Sequence, residues 1–298
     1  MSGPTSIVSG GTGLVGRFIV EALLEAGHKV CVMGRKPPAD GFFSKSVDFL
    51  PGTLEPSLVR SAAFEGADFF IHAAFAHEPG KYRGGEGNDP ERFRRLNLEG
   101  SAALFDAART AGVKRAVFLS TRAVYGPRAA GVMLDEADAC RPDTLYGEVK
   151  LAAENGLAGL SNESFAGISL RVTGVYGPAG PGQAHKWAGL FEDFLEGRPV
   201  APRVATEVHG RDVAAAVVLV LDAPMQAVSA QTFNVSDIAL DRHDLLALVA
   251  RESGLNLPLP EYADAGKVNA MRTERLQALG WKPGGYELLE RTLPALLP

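Results

Sequence analysis

The sequence predicts an α/β fold: a doubly wound parallel sheet carrying a smaller lobe toward its C-terminal side. Three observations lead there. Short apolar segments alternate with amphipathic helical stretches through about residue 175. The connections between successive apolar segments are long enough for right-handed crossovers, which parallel strands require. The first apolar segment runs into the glycine-rich turn Gly10-Gly-Thr-Gly-Leu-Val-Gly16, and a helical pattern follows at once.

The first strand is Thr5-Ser-Ile-Val-Ser9, and the helix after the turn shows Phe18, Ile19, Ala22, Leu23 and Ala26 on one face. Both GxGxxG and GxxGxxG spacings fit the turn. In this strand–turn–helix setting the glycines permit a tight turn and close approach of backbone to a pyrophosphate, which the positive helix N-terminus attracts. The unit therefore reads as a Rossmann-type dinucleotide site, although a purely structural turn in another α/β protein has the same spacing. A second strand, 29–33, ends at Gly34-Arg35-Lys36. An NAD site usually carries an acidic residue here for the ribose 2′-hydroxyl. Glycine instead leaves room for a 2′-phosphate, and the planar fork of Arg35 suits one. NADP is therefore favoured, with NAD as the alternative; Arg35 and Lys36 also fit as solvated loop charges, with Arg35 stacked on adenine.

Further strands are expected at 46–50, 68–73, 115–120 and 167–172, with Thr232-Phe-Asn-Val235 returning to the sheet. Helices are expected at about 91–111 and 145–160. The polar, glycine-rich stretch 78–90 is long enough for a mobile active-site loop, and equally reads as a disordered excursion. There is no internal repeat and no inert linker. The organisation expected is a dinucleotide-binding domain over 1–175, with a returning segment near 205–236, and a mainly substrate-binding lobe over 176–298.

Tyr146-Gly-Glu-Val-Lys150 lies about 130 residues beyond the glycine turn. Tyr and Lys at i and i+4 share one helix face, and a nearby ammonium favours the phenolate. Such a tyrosine can exchange a proton with a substrate hydroxyl or carbonyl near neutral pH. Alone, the pair also fits an ordinary surface contact; the glycine turn upstream gives it meaning.

With these motifs the chain resembles the extended short-chain dehydrogenase/reductase family, the NAD(P)-dependent epimerase/dehydratase group. The matching residues run nearly end to end: the glycine turn, Ile71-His-Ala-Ala74, Asn97-Leu-Glu-Gly100, Ser120-Thr121 with Val124-Tyr-Gly126, Tyr146 with Lys150, Arg171 with Val175-Tyr-Gly-Pro178, Asp212-Val-Ala214 and Leu279-Gly-Trp-Lys-Pro283. The resemblance implies Tyr146 as acid/base, Lys150 holding the nicotinamide ribose, and Thr121 hydrogen-bonding the reacting oxygen. It implies cofactor contacts from Gly10, Thr12, Gly13, Leu14, Val15, Gly16, Arg35, Thr53, Leu54, Ala73 and Ala74. Ser120 either packs or meets the cofactor, and Asn97 orders the active-site region or is simply a buried hydrogen-bonding group. Arg122, Arg171 and Gly174 fall on the substrate side. A homodimer through the helices near 91–111 and 145–160 is also implied.

Departures narrow the chemistry. Relatives that eliminate water from sugar nucleotides carry Asp-Glu after the active-site Thr, where Arg122 and Ala123 stand; 4,6-dehydration is not expected. The diphosphate-contacting Arg that precedes a late His in nucleotide-sugar enzymes is Ala205 here, with Arg203 a substitute. Arg122 would grip an anionic substrate group, or pair with Asp135 or Glu136.

Of the 298 residues, 46% are hydrophobic, enough for a sizeable core. The net charge of -5 and pI near 5.7 argue against nucleic acid or an anionic membrane as partner. No run approaches ~20 apolar residues, no secretory leader is evident, and two cysteines suit a reducing, cytoplasmic setting. Scattered histidines predict no metal. The expected function is an oxidoreductase or epimerase acting at a secondary alcohol of a sugar-like or nucleotide-sugar-like substrate. The alternatives are an NADPH-dependent reductase of a non-sugar ketone or aldehyde and a catalytically silent NADPH-sensing protein.

Overall fold

The computed structural model describes residues 3–78 and 85–297. Seven strands form one sheet: β1 (Thr5–Ser9), β2 (Lys29–Gly34), β3 (Asp48–Pro51), β4 (Phe69–His72), β5 (Arg115–Thr121), β6 (Ala166–Val172) and, later in the chain, the strand Thr232–Val235. Every pairing in it is parallel. A second sheet holds β7 (Gly174–Tyr176), β8 (Val204–His209) and the strand Ile238–Asp241. The Thr232–Val235 and Ile238–Asp241 strands are β9 and β10. The large sheet has the order β3-β2-β1-β4-β5-β6-β9. Strand order reverses between β1 and β4, so the crevice for a ligand opens at the carboxyl ends of these two strands.

Both faces of the sheet are covered, which accounts for the continuous apolar runs of its strands. Helix α1 (Leu14–Glu25) lies on one face, beside a helix over Gly210–Asp222, around Val8, Ile19, Leu23, Ile168 and Val217. The opposite face carries α2 (Pro90–Arg94), α3 (Gly100–Thr110) and α4 (Leu145–Gly159), which bury Phe70, Phe105, Phe118 and Leu157. The lobe has its own core, in which α5 (Ala188–Leu195) contributes Phe191 and Phe194 beside Tyr176, Trp187 and Leu246. The Gly210–Asp222 helix is α6.

The expected strands are all present, displaced by two residues at most at either end. The helix foreseen over 91–111 is interrupted by a π turn at Arg95–Glu99. Asn97 explains it: its Nδ2 donates to Phe93 O, four residues back, at 3.0 Å, inserting a side chain into the helical ladder. The segment near 205–236 divides its loyalties, because β8 joins the small sheet while α6 and β9 return to the large one. Of the polar stretch 78–90 foreseen as a loop, residues 79–84 lie outside the described residues. No helix among the described residues is long and apolar enough to cross a membrane.

Candidate active site

The glycine turn fits a dinucleotide diphosphate. Gly10 sits at φ +73°, and a Cβ there would come within 2.7 Å of the Ala74 backbone. A Cβ on Gly16 would overlap the Gly10 carbonyl. Only hydrogen at these positions lets the turn lie against Ala73-Ala74 at the end of β4. Gly13, the N-cap of α1, provides no side-chain cap, so the first amides of α1, including those of Leu14 and Val15, point into the crevice for an anion. Two features here escaped the motif reading. Arg17, a cation in the first turn of α1, has a buried Nε without a partner among the described residues. Gln183 reaches back from the lobe to donate to Thr12 O at 2.9 Å.

Around the rest of the cradle, Arg35 is exposed at the end of β2, and a Cβ on Gly34 would meet nothing nearer than Lys36 O at 3.8 Å. Thr53 Oγ1 accepts from Glu55 N at 3.2 Å. Leu54 is fixed against α3, where only a glycine at position 100 clears its carbonyl. Among the described residues no cluster of His, Cys, Asp or Glu could hold a metal.

The catalytic candidates converge from β5 and α4. Thr144 caps α4 by accepting from Gly147 N at 3.2 Å, which fixes the phase at which Tyr146 and Lys150 leave the helix. A Cβ on Gly147 would come within 2.8 Å of Ala123 O, so this glycine lets α4 press onto the turn that follows Thr121. Thr121 closes β5 and accepts from Ala123 N at 3.2 Å through Oγ1. The Lys150 ammonium is buried, donates to Leu119 O at 2.6 Å and lies 4.5 Å from the ring centroids of both Phe75 and Phe118. Burial pulls its pKa down to about 7 despite the opposing field of Glu154. The Tyr146 ring meets Phe75 edge-on, at 5.2 Å between centroids. Asn97 is buried and binds the backbone that follows β4: Oδ1 accepts from Ala76 N at 2.7 Å and Nδ2 donates to Ala76 O at 2.8 Å.

Two of the site candidates engage an interior carboxylate. Arg171, expected at the substrate, is buried in β6 and committed to Glu154 of α4, with Nη2 at 2.8 Å and Nε at 3.2 Å from the carboxylate. Its guanidinium also lies 4.7 Å over the Tyr125 ring. Ser120, read as either packing or meeting the cofactor, turns inward and donates to the same Glu154 carboxylate. Burial explains both: a lone carboxylate beneath the sheet needs donors on all sides. Glu154 itself is four residues past Lys150, so the Tyr-Lys periodicity extended by one turn points to it. Tyr125 donates to Asn234 Oδ1 at 2.7 Å, and burial pushes its phenol up to about 12.

Arg122 extends to the C-terminal segment, where Nε donates to Asn269 O at 3.1 Å. Of the two acids foreseen as partners, Glu136 accepts from Asn234 N at 2.8 Å. Gly174 lies on β7 beside an ion pair between Lys186 and Glu207; both partners come from distant segments, and no local pattern announces them.

Residues 6–236 match the model of the NAD dependent epimerase/dehydratase family. The chain belongs to that family. As a family member it resembles the UDP-glucose 4-epimerase of Streptomyces lividans, with 32% identity over 159 residues covering 51% of this chain and 46% of that one. It also resembles the 3 beta-hydroxysteroid dehydrogenase/Delta 5-->4-isomerase of Mycobacterium tuberculosis, with 31% identity over 205 residues, 64% of this chain and 51% of that one. The chain thus spans about half the length of these curated relatives. Among solved structures, the UDP-glucose 4-epimerase of Thermus thermophilus in complex with NAD superposes with TM-score 0.77 at 27% identity, covering 98% of both chains. MoeE5 in complex with UDP-glucuronic acid and NAD gives 0.79 at 25% identity, covering 98% and 97%.

Proposed function

We propose that this family member is an NAD(P)-dependent oxidoreductase or epimerase acting at a secondary alcohol of a sugar-like substrate. The observation supporting the reading is that the end of β4 meets both parts: Gly10 packs on the Ala74 backbone, and the next residue, Phe75, packs against the Tyr146 ring and the Lys150 ammonium. When bound, the dinucleotide supplies a hydride acceptor and donor at its nicotinamide. The chain's own residues do the rest. Thr121 orients the substrate oxygen, and Tyr146 takes or returns its proton. Lys150 holds the nicotinamide ribose, and its positive charge favours the phenolate of Tyr146. Phe75 and Phe118 exclude water from the ammonium, which strengthens its field.

NADP(H) is the proposed cofactor because of Gly34 and the exposed Arg35, with NAD the alternative that the NAD complexes of similar structures support. Arg122, anchored at Asn269, is proposed to border the substrate near Thr121 and to favour an anionic group there; Arg122 and Ala123 leave 4,6-dehydration without its acid and base. The protein is proposed to work in the cytoplasm as a homodimer through α3 and α4. A second reading, reduction of a non-sugar ketone, is favoured by Ala205 and by the relative named as a hydroxysteroid dehydrogenase.

The test is Tyr146→Phe. Turnover should fall by about 10²–10⁴ while NAD(P)H binding, followed by nucleotide fluorescence, persists. Activity within a few-fold of the parent would move the acid/base role to another group.

A further inference from the structure

The small sheet stations two opposite charges over a glycine. Gly174 pairs with Glu207 across β7 and β8, and a Cβ at position 174 would overlap both Lys186 Nζ and Glu207 Oε2. The volume that a side chain would occupy is thus held by a salt bridge whose other partner, Lys186, arrives from the segment before α5. The pair lies close to the carboxyl ends of the large sheet's strands. β6 ends at Val172, paired with Thr121 at the end of β5, so Gly174 is just beyond the carboxyl ends of the strands. Lys186 follows Gln183, which touches Thr12 of the glycine turn. The pair therefore stands between the cofactor cradle and the lobe.

Its solvation is unusual for a stabilising contact. The Lys186 side chain keeps 31% of its surface and Glu207 only 7%. Removing both charges from water returns stability only when their remaining lone pairs and N–H groups are satisfied. Among the described residues the one hydrogen bond donated by the Lys186 ammonium goes to Glu207. The ammonium also lies 6.0 Å from the Trp187 ring and within the field of the Arg203 guanidinium. Two ammonium N–H groups stay available, beside a carboxylate with its own spare acceptor sites.

We propose that Lys186 and Glu207 form a substrate-reading pair that binds neighbouring hydroxyls of a polyhydroxylated substrate. A hydroxyl is both donor and acceptor, so adjacent hydroxyls can give a proton to Glu207 and take one from Lys186. An anion at this point meets the Glu207 carboxylate as closely as the ammonium, so the carboxylate offsets the attraction of Lys186. A ketone without hydroxyls buries the two free N–H groups of Lys186 and the spare acceptor sites of Glu207 without partners, the circumstance in which a polar site rejects a ligand most strongly. The proposal rests on the sugar-alcohol reading above and turns against the non-sugar one.

The experiment uses the whole chain saturated with NADPH and two probes: D-galacturonate, and tetrahydropyran-2-carboxylate, which keeps a ring and a carboxylate but lacks ring hydroxyls. Binding is read by saturation-transfer NMR in the parent, Glu207→Gln, Lys186→Gln and the double variant, which leaves no lone buried charge if a single variant unfolds. Galacturonate should bind the parent and lose about ten-fold or more in affinity in each variant, while the hydroxyl-free acid binds all forms weakly and equally. Galacturonate affinity within two-fold of the parent in Glu207→Gln and the double variant overturns the proposal. So does a parent that ignores galacturonate, or tighter binding of the hydroxyl-free acid by Glu207→Gln, which would make Lys186 an anion site. NADPH titrations run in parallel report on the dinucleotide reading separately: its failure removes NADPH binding from the parent, whereas failure of the present proposal leaves it intact.

Discussion

Arg171 of β6 and Glu154 of α4 form a buried, two-pronged ion pair beneath the candidate active site, with side-chain exposures of 7% and 3%. Glu154 also accepts from Ser120, the neighbour of Thr121, and stands one helical turn from Lys150. One carboxylate therefore ties together the two elements that carry the reacting groups. Breaking such a pair leaves a lone charge in the interior, which costs about 3–5 kcal/mol, whereas replacing both partners costs far less. Arg171→Met and Glu154→Gln should each lower the unfolding free energy, measured by urea denaturation, by an amount in that range, and the double variant should recover a large part of it. Additive losses in the double variant would show that the two side chains act separately.

How much of this was legible in the sequence follows from the range of each interaction. The glycine turn, the strands and the Tyr146–Lys150 pair are patterns within a few residues, set by backbone sterics and helical periodicity, and the structure places each where the spacing puts it. Arg171 illustrates the opposite case. Its position in the motif is local, but its partner is 17 residues away on a different element, and nothing in the strand itself says whether its guanidinium faces the crevice or α4. Lys186 and Glu207 are likewise joined only by the meeting of a loop with β8. The π turn at Asn97 was hidden for another reason: the helical pattern continues through it, and only the competing side-chain bond to Phe93 O reveals it.

Cofactor choice should depend on Arg35. Its side chain is exposed and the space over Gly34 is open, so Arg35→Ala removes a charge-assisted contact without disturbing the core. NADP(H) affinity, measured by calorimetry, should fall by the equivalent of about 1.5–3 kcal/mol, with NAD(H) affinity nearly unchanged. Equal affinity for the two cofactors in the parent would refute the assignment.

Acid should destabilise the fold through buried imidazoles. His209 accepts from Arg211 N at 3.0 Å as the N-cap of α6, and burial, helped by Arg211, lowers its pKa from 6.5 to about 4. His72, between Ser9 and Ser101, is lowered to about 3 by burial and by Lys150. Because the folded values lie below the unfolded one, the full contribution is present above pH 6.5. It is lost as pH falls toward 4 and 3, where only the unfolded chain takes up protons. His209→Asn keeps a capping acceptor but cannot titrate. Its melting temperature should start lower at pH 7.5, through lost packing against Phe18 and Tyr176, and then fall less steeply, by the equivalent of at most about 3 kcal/mol between pH 6.5 and 4. An acid limb as steep as the parent's would assign the effect to other groups.

Two glycine-to-alanine changes should move stability in opposite directions, because the same methyl meets opposite surroundings. At Gly16 it would overlap the Gly10 carbonyl, a backbone atom that cannot move without opening the turn that receives the diphosphate. Gly16→Ala should therefore lower the melting temperature and weaken NADPH binding together. At Gly156, in the interior of α4 and exposed, a Cβ has nothing within 4 Å. There the change removes backbone freedom from the unfolded chain at no steric cost, and should stabilise by about 0.5–1 kcal/mol. Both variants can be followed by thermal unfolding with and without NADPH. A Gly156→Ala variant that is less stable than the parent, and more so at high protein concentration, would mean that the outer face of α4 is occupied by a second copy of the chain; a loss independent of concentration would instead contradict the open space around Gly156. Unaltered NADPH affinity in a folded Gly16→Ala variant would dissociate the glycine turn from the cofactor, and with it the reading of the crevice as a dinucleotide site.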